Sequence, residues 1–400
     1  MMHKETRNII HRLTVITAVV YFGSALWQTL FVIYLDKIGI SSVNIGLSSS
    51  LLFSVPSLLA FMTGMICDSY DKRKLITASL AISSTLLLLM PSAKDPLSIM
   101  GIALLYGLMM GFFAQSAIAI IAYSSDLETR ATAYSIYYFT NQLLSTVGTF
   151  ASGPIVETYG YEALYGLGSL SFMIGAIMTL AFLPSLPPYL KEEDRMLNSI
   201  RSMKRLLLEE GELRSLMIAI FFHDSFVFIA VPFITLFAKE ALFLSESRVS
   251  LLIGVRSLGQ LASQIVCGKI ADRIGGDKLL LIHVMATGIL YAIYGQTKDF
   301  VTAMIVMVLF GLSFALDMPA RRALLSMYSP EGMVASVNGL ADTLVGLGTL
   351  PSPIIGGYMW QLGRMRQLFT ISGLGNLLAI PFIVRLIRKR NGAWRKGAES

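Results

Sequence analysis

The chain has 400 residues, 54% of them hydrophobic and only 14% charged, with a net charge of +7. A soluble globular domain carries about a quarter charged residues, so this composition excludes an ordinary soluble domain. The basic residues lie in short polar breaks beside apolar runs, which argues against nucleic-acid binding and for the setting of membrane topology.

Many of the apolar runs approach or exceed about 20 residues, the length an α-helix needs to cross a hydrocarbon core of ~30 Å. The basic N-terminus "MMHKETRNIIHRL" opens onto a run from Leu13 to Leu35. That run is too long for a signal-peptide core and reads as a retained first span. In chain order, twelve apolar segments are expected at 13–35, 43–66, 75–92, 97–123, 133–156, 164–186, 216–238, 249–270, 279–296, 300–320, 334–360 and 366–387. The third and ninth are short. The fourth and eleventh are long enough to tilt or to project from the bilayer. Twenty-four Lys and Arg fall on the side that holds both termini and seven on the other, with Arg256 inside a segment. This asymmetry predicts an even number of spans, a cell-membrane location and cytoplasmic termini. Arg321 counts here as a residue of the polar break after the tenth segment.

The longest polar break divides the chain. Residues 1–186 are expected to form one six-helix bundle, 187–215 a central cytoplasmic loop, and 216–400 a second six-helix bundle with a basic tail. Within the loop, "MLNSIRSMKRLLL" has the pattern of an interfacial amphipathic helix. The halves repeat. "GMICDSYDKRK" follows the second segment and "GKIADRIGGDK" the eighth, with Gly64 and Asp68 matching Gly268 and Asp272 at an offset of 204 residues. "SGPIV" in the fifth segment is similar to "PSPIIGG" in the eleventh. Duplicated hydrophobic halves mark transporters. Pro154, beside Gly153, and Pro353 are expected to kink their helices.

Charge inside a bilayer is costly, at least ~2.5–3.5 kcal/mol near the centre, and such groups face a cavity or a partner. His223 and Asp224 lie about 5 Å from the centre of the seventh segment at ~1.5 Å per residue. Arg256, Gln260 and Gln264 recur at helical spacing in the eighth, with Ser263 beside them. Consecutive spans are antiparallel neighbours, so Arg256 is expected to pair with Asp224. Burial and a nearby cation pull a carboxyl in opposite directions, so substrate arrival can tip its charge. An imidazole ordinarily changes charge at about pH 5–8. His223 and Asp224 are therefore the candidates for proton coupling, the other reading being a structural or substrate-orienting pair. Asp342, about eight residues into the eleventh segment, is a candidate for the cytoplasmic half of the cavity. Asp317 and Arg321 have the spacing of a local helical pair, and His283 reads as structural. Trp27, Gln28, Tyr34, Gln115, Asn141 and Gln142 are candidates for lining the first half, although each alone is more often a packing hydrogen bond. Cys67 and Cys267 give no disulfide or metal framework, and no cofactor is expected.

The loop residues carry a resemblance to the major facilitator superfamily, whose loop between spans 2 and 3 reads G-x-x-x-D-R-x-G-R-K. Here Gly64 and Asp68 match, Ser69 and Asp71 replace an Arg and a Gly, and Lys72, Arg73 and Lys74 follow. The second copy keeps Gly268, Asp272, Arg273 and Gly275 but has Gly276 and Asp277 at the basic positions. The resemblance runs through both halves. It implies an all-α fold of twelve transmembrane helices in two pseudo-symmetric six-helix bundles. It also implies a conformational latch in which Asp68 caps a neighbouring helix end, near Val334, while Lys72 and Arg73 reach acids such as Asp126 or Glu128. Many proton-coupled members carry an Arg in span 4, four residues before a Gly; here Gly107 stands at that position, before Gly111. Exporters of the family often read G-P-x-x-G-G in span 5; here Gly153 and Pro154 are followed by Glu157 and Thr158 in place of the glycines.

These features predict a secondary active transporter of a small, hydrophobic or amphipathic organic solute, working by alternating access as a proton-coupled efflux protein. Uptake of a nutrient or metabolite is the alternative, and a transporter-like sensor a remote one, because the central loop and tail leave no room for a signalling domain. No "GxxxxGK[ST]" site is present, so ATP is not the direct drive. No HExxH, paired catalytic carboxylates or Ser–His–Asp spacing points to an enzyme. The expected partners are the substrate, a proton or other coupling ion and the lipid bilayer, for a monomeric protein.

Overall fold

The computed structural model describes residues 4–185, 211–329 and 334–398. The expected amphipathic helix of the central loop lies outside them. Among the described residues every regular element is helical. The helices are α1 (Lys4–Gln28), α2 (Phe31–Lys37), α3 (Ser42–Leu58), α4 (Ala60–Ser69), α5 (Lys72–Leu89), α6 (Pro96–Tyr123) and α7 (Leu127–Phe182) in the first half. The second half holds α8 (Gly211–Ala230), α9 (Ile234–Glu240), α10 (Glu246–Ile274), α11 (Gly276–Tyr294), α12 (Phe300–Met327), α13 (Val334–Thr349), α14 (Ser352–Gln361), α15 (Met365–Asn376) and α16 (Ile380–Ala398). Among the described residues eight helical runs are long and apolar enough to cross a membrane, nine when the α3–α4 pair, bent by 56°, counts as one span. The order is consistent with twelve spans.

Several segments that read as single rods are broken, and the breaks have local causes. Pro56 removes a backbone donor one turn before the α3–α4 bend. Pro232 sits in the 3₁₀ turn between α8 and α9, and Pro351 at the junction of α13 with α14. α7 contains both the fifth and sixth segments. Its backbone stays helical through Gly153 and Pro154 and leaves helical geometry at Gly160, where φ is 82°. The expected kink at Gly153–Pro154 is therefore not where α7 breaks. Only glycine adopts that φ without steric cost. Pro353 lies in the first turn of α14, where its missing donor costs little.

The internal repeat is visible in the backbone. Asp95 caps α6 by accepting from Ser98 N at 2.9 Å, and Asp299 caps α12 by accepting from Thr302 N at 3.0 Å. These bonds hold both carboxyls below their ordinary range. Gly39 (φ 84°) in the turn before α3 has its counterpart in Phe243 (φ 54°) before α10. Both pairs keep the 204-residue offset of the two loop motifs.

Each half has a buried aromatic core. Trp27, Phe31, Tyr106, Tyr165 and Phe172 fill the first. Phe233, Phe237, Tyr291, Tyr294, Phe310 and Phe369 fill the second. The halves meet most closely at the distal end, away from the termini. There α3 packs on α14 and α7 on α10. A Cβ on Gly46 would strike the Pro353 carbonyl, one on Gly357 the Ser42 carbonyl, and one on Gly153 Ser250 and the Glu246 carbonyl. Toward the terminal end the approach relaxes: a Cβ on Gly339 would only touch Phe61, at 4.0 Å. The closure has polar pins as well. Glu157 accepts from the Ser247 amide at 2.9 Å and its hydroxyl at 2.5 Å, and Tyr161 donates to Glu246. So Glu157, which stands where the exporter pattern has Gly, ties α7 to the start of α10.

Candidate functional site: a buried ion cluster in the second half

Asp224 sits on α8, whose inward face is otherwise apolar: Leu216, Ile220 and Val227 are all buried. α8 packs against α13, α14, α15 and α16, and α12 brings Asp317 and Arg321 to its flank. These two residues are one turn apart and share a face of α12. The Arg321 guanidinium is a fork between two carboxylates. Nη1 donates to Asp224 Oδ2 at 2.6 Å and Nη2 to Asp224 Oδ1 at 3.1 Å. Nε donates to Asp317 Oδ1 at 3.1 Å and Nη2 also to Asp317 Oδ2 at 3.0 Å. All three side chains are between 11% and 14% exposed. Bidentate geometry on both carboxylates is the arrangement that offsets the desolvation of buried charge. Two carboxylates share one guanidinium, so the triad alone carries a formal charge of −1.

His223, adjacent to Asp224, points the other way, into the bundle. Its Nδ1 meets Asn376 Oδ1 of α15 at 2.5 Å, and its Nε2 meets His283 Nε2 of α11 at 3.2 Å. His223 Nε2 is also 3.8 Å from Asp224 Oδ1. His283 Nδ1 lies 2.8 Å from the Ser313 carbonyl, and Thr287 and Ser313 hydroxyls complete the chain at 2.9 Å. Asn376 Nδ2 donates to the Val284 carbonyl at 2.7 Å. His283, Thr287 and Asn376 are fully buried.

The expected Asp224–Arg256 pair does not form. α10 and α8 are consecutive but not neighbours, because α12 packs along α10 at the small residues Gly259 and Gly311. Arg256 lies instead over the Phe314 ring, 5.8 Å from its centroid, near Tyr291 and Tyr294. Arg321, expected in the polar break after the tenth segment, belongs to α12 and supplies the partner. Gln260 and Gln264 are half-buried on α10 and Ser263 bonds back to Gly259. Asp342 on α13 is half-buried, with Arg322, Arg321 and Asp224 as its electrostatic neighbours. Across the interface Tyr138 of α7 senses Arg322 and Asp342. These groups face one another between the halves.

The first-half candidates are in neutral networks. Asn141 is buried and accepts from Thr17 Oγ1 at 2.9 Å. Gln28 and Ser24 lie against the Tyr106 hydroxyl, and Tyr34 donates to the Met90 carbonyl. Trp27 is buried edge-on to Tyr106, Gln142 is half-buried, and Gln115 lies beside Gly64. Gly107 abuts the Leu51 and Leu52 carbonyls, so no arginine fits there.

In the loop motif, Asp71 caps α5 through the amides of Arg73 and Lys74. Asp68 accepts from the Tyr123 hydroxyl at 3.0 Å. Lys72 is buried, lies over the Tyr123 ring and donates to the Asp68 carbonyl. Arg73 donates to the Leu180 carbonyl of α7, not to Asp126. Lys72 and Arg73 thus hold the loop within its own half. The side chains of Glu128, Asp272 and Val334 lie outside the described set, as does the surrounding of Gly268; Arg273 is exposed.

The comparisons agree with this architecture. The Major Facilitator Superfamily profile matches residues 13–209 and 216–400, and the chain belongs to that family. It is a multi-pass membrane transporter of small molecules and not an enzyme. The chain is 26% identical over 335 residues to a protein named enterobactin exporter EntS from Citrobacter koseri, covering 78% of this chain and 79% of that one. It is 22% identical over 334 residues to a multi-drug resistance efflux pump PmrA homolog from Lactococcus lactis, covering 81% of each. Among solved structures, the nucleoside transporter NupG superposes with a TM-score of 0.77 at 12% identity, over 95% of this chain and 99% of that one. A bacterial homolog of the human lysosomal transporter Spinster, in an inward-facing and occupied conformation, gives 0.75 at 13% identity, over 95% and 96%.

Proposed function

We propose that this protein exports a small hydrophobic or amphipathic organic molecule across the bacterial cell membrane, as a monomer with cytoplasmic termini, driven by protons. The observation that carries the proton drive is the Asp224–Arg321–Asp317 triad. It holds one more negative than positive charge at membrane depth, a deficit that a proton removes. The direction rests on the relatives named as exporters. Cytoplasmic termini follow from the excess of Lys and Arg on that side. With that orientation the tight distal closure seals the external face, and the parting of Tyr138 and Asp342 belongs to the inward-facing half of the cycle. In this reading the loop from Gly64 to Arg73, with Gly268, Asp272 and Arg273 in the second copy, controls the cytoplasmic gate. Gln28, Gln115, Asn141, Gln260 and Gln264 orient solute.

Proteoliposomes loaded with a panel of apolar and amphipathic compounds test the proposal. A pH gradient and a sodium gradient are imposed separately. Transport out of the cytoplasmic-equivalent compartment under the pH gradient alone is expected. Transport driven only by sodium, or only in the uptake direction, would overturn it.

A further inference from the structure

The hydrogen bonds around His223 and His283 fix how many protons the two rings carry. The Ser313 carbonyl has no proton to give, so the proton in its 2.8 Å contact with His283 Nδ1 is the ring's, while the Ser313 and Thr287 hydroxyls, 3.2 and 3.3 Å from that nitrogen, bond each other at 2.9 Å. The Val284 carbonyl has none either, so the Asn376 amide nitrogen faces it at 2.7 Å and Asn376 Oδ1 is left facing His223 Nδ1. That oxygen only accepts, so His223 Nδ1 is protonated as well. The two Nε2 atoms then face each other at 3.2 Å, and one proton must lie between them. Four ring nitrogens thus hold three protons, which is one imidazolium charge on the pair.

We infer that His223 and His283 together form a proton-binding site, loaded in this conformation, from which the coupled proton is drawn. The inference rests on the proton-driven reading above and places the proton on the imidazoles. The charges close: the imidazolium cancels the surplus carboxylate of the triad, and His223 Nε2 stands 3.8 Å from Asp224 Oδ1. Among the described residues the ionisable groups that face the pair are few, and on α11 itself Asp277 and Lys278 lie in the first turn, away from His283. α8 supplies Asp224, and α12 supplies Asp317 and Arg321. α13 supplies Asp342, which reaches Asp224 rather than the rings, and α10 supplies Arg256 from behind the Phe314 ring. α15 contributes neutral Asn376, its Arg366 being bound to the Gly295 and Thr297 carbonyls at the far end. On α16 the basic residues sit at the terminal end, where Lys389 pairs with Glu212 of α8. Besides the Ser313 carbonyl and Asn376 Oδ1, which accept from the two Nδ1 atoms, only the carboxylates favour the charge on the pair. When Asp224 and Asp317 move away, the imidazolium loses its counter-charge and the proton leaves the site.

The test reads the rings directly. Full-length protein carrying [15N]histidine, in lipid nanodiscs at pH 7.5 and in a His3→Gln, His11→Gln background, leaves only the two buried imidazoles visible by NMR. One ring with both nitrogens protonated and one with a single protonated nitrogen is the expected result. Two neutral rings would overturn the inference. ΔpH-driven flux on the same preparation separates the two readings: neutral rings with intact ΔpH-driven flux remove this site but not proton coupling. Loss of ΔpH drive with the imidazolium present removes the coupling. A second variant, His283→Gln, keeps an acceptor for His223 but removes the second base. ΔpH-driven flux is expected to fall at least tenfold with energy-independent exchange within about twofold of the parent. ΔpH-driven flux at the parental rate would overturn the assignment of the coupled proton to the pair.

Discussion

The two halves share a backbone plan and differ in chemistry. At the 204-residue offset, the counterparts of Asp224, His283, Asp317 and Arg321 are Val20, Ser79, Phe113 and Ala117. All four are buried. Where the second half places an ion cluster, the first places an aliphatic, a hydroxyl, an aromatic ring and a methyl. Its polar contacts deep in the bundle, such as Thr17 to Asn141 and Ser84 to Ser169, are between neutral groups. A fold that repeats itself therefore does not need to repeat its function. In the proposed mechanism one half carries the charge that senses the driving ion, and the other supplies a greasy wall for the solute.

The largest expected effect comes from removing the shared cation. Arg321→Met leaves Asp224 and Asp317 facing each other without a counter-ion, at a cost of about 3–5 kcal/mol. Thermal unfolding in detergent is expected to show that loss. The triple change Arg321→Met, Asp224→Asn, Asp317→Asn should recover most of it without recovering pH-driven transport. If Arg321→Met melts like the parent, the contrast between the halves is not one of buried charge.

A smaller effect is expected at the distal closure. Gly46→Val puts a side chain against the Pro353 carbonyl, and overpacking of this kind costs about 1–3 kcal/mol. The cost falls only on the distally closed state, so the population shifts toward the other one. Reactivity of a cysteine placed at Tyr138 toward an impermeant thiol reagent is expected to drop several-fold from the terminal side. Unchanged reactivity would mean that the halves do not part at that seam.

The smallest effect is at Phe243, which is exposed and holds the left-handed backbone that its repeat partner Gly39 adopts freely. Phe243→Gly should raise stability by roughly 1 kcal/mol by relieving that strain. A lower melting temperature would show instead that the exposed ring is held by the surrounding lipid.

The helical fold and its two halves were legible because they rest on run length, charge asymmetry and the repeated Gly64–Asp68 and Gly268–Asp272 spacings. That Asp224 needs a partner was legible too, since a carboxylate among Phe and Ile requires one. Which partner was not. Proximity in sequence favoured Arg256, but α12 stands where an antiparallel neighbour was expected, and Arg321 appeared to belong to a loop. The four-residue spacing of Asp317 and Arg321 was the available signal, and it pointed only to a local pair. His283 read as structural because nothing in a sequence shows that two imidazoles 60 positions apart meet at their Nε2 atoms.

The central claim is that the drive enters through the second half's ion cluster. ΔpH-driven efflux and energy-independent counterflow, measured side by side in proteoliposomes containing Asp224→Asn, test it most directly. At least a tenfold loss of the first with counterflow within about twofold of the parent is predicted. Efflux that still follows the pH gradient at the parental rate would contradict it.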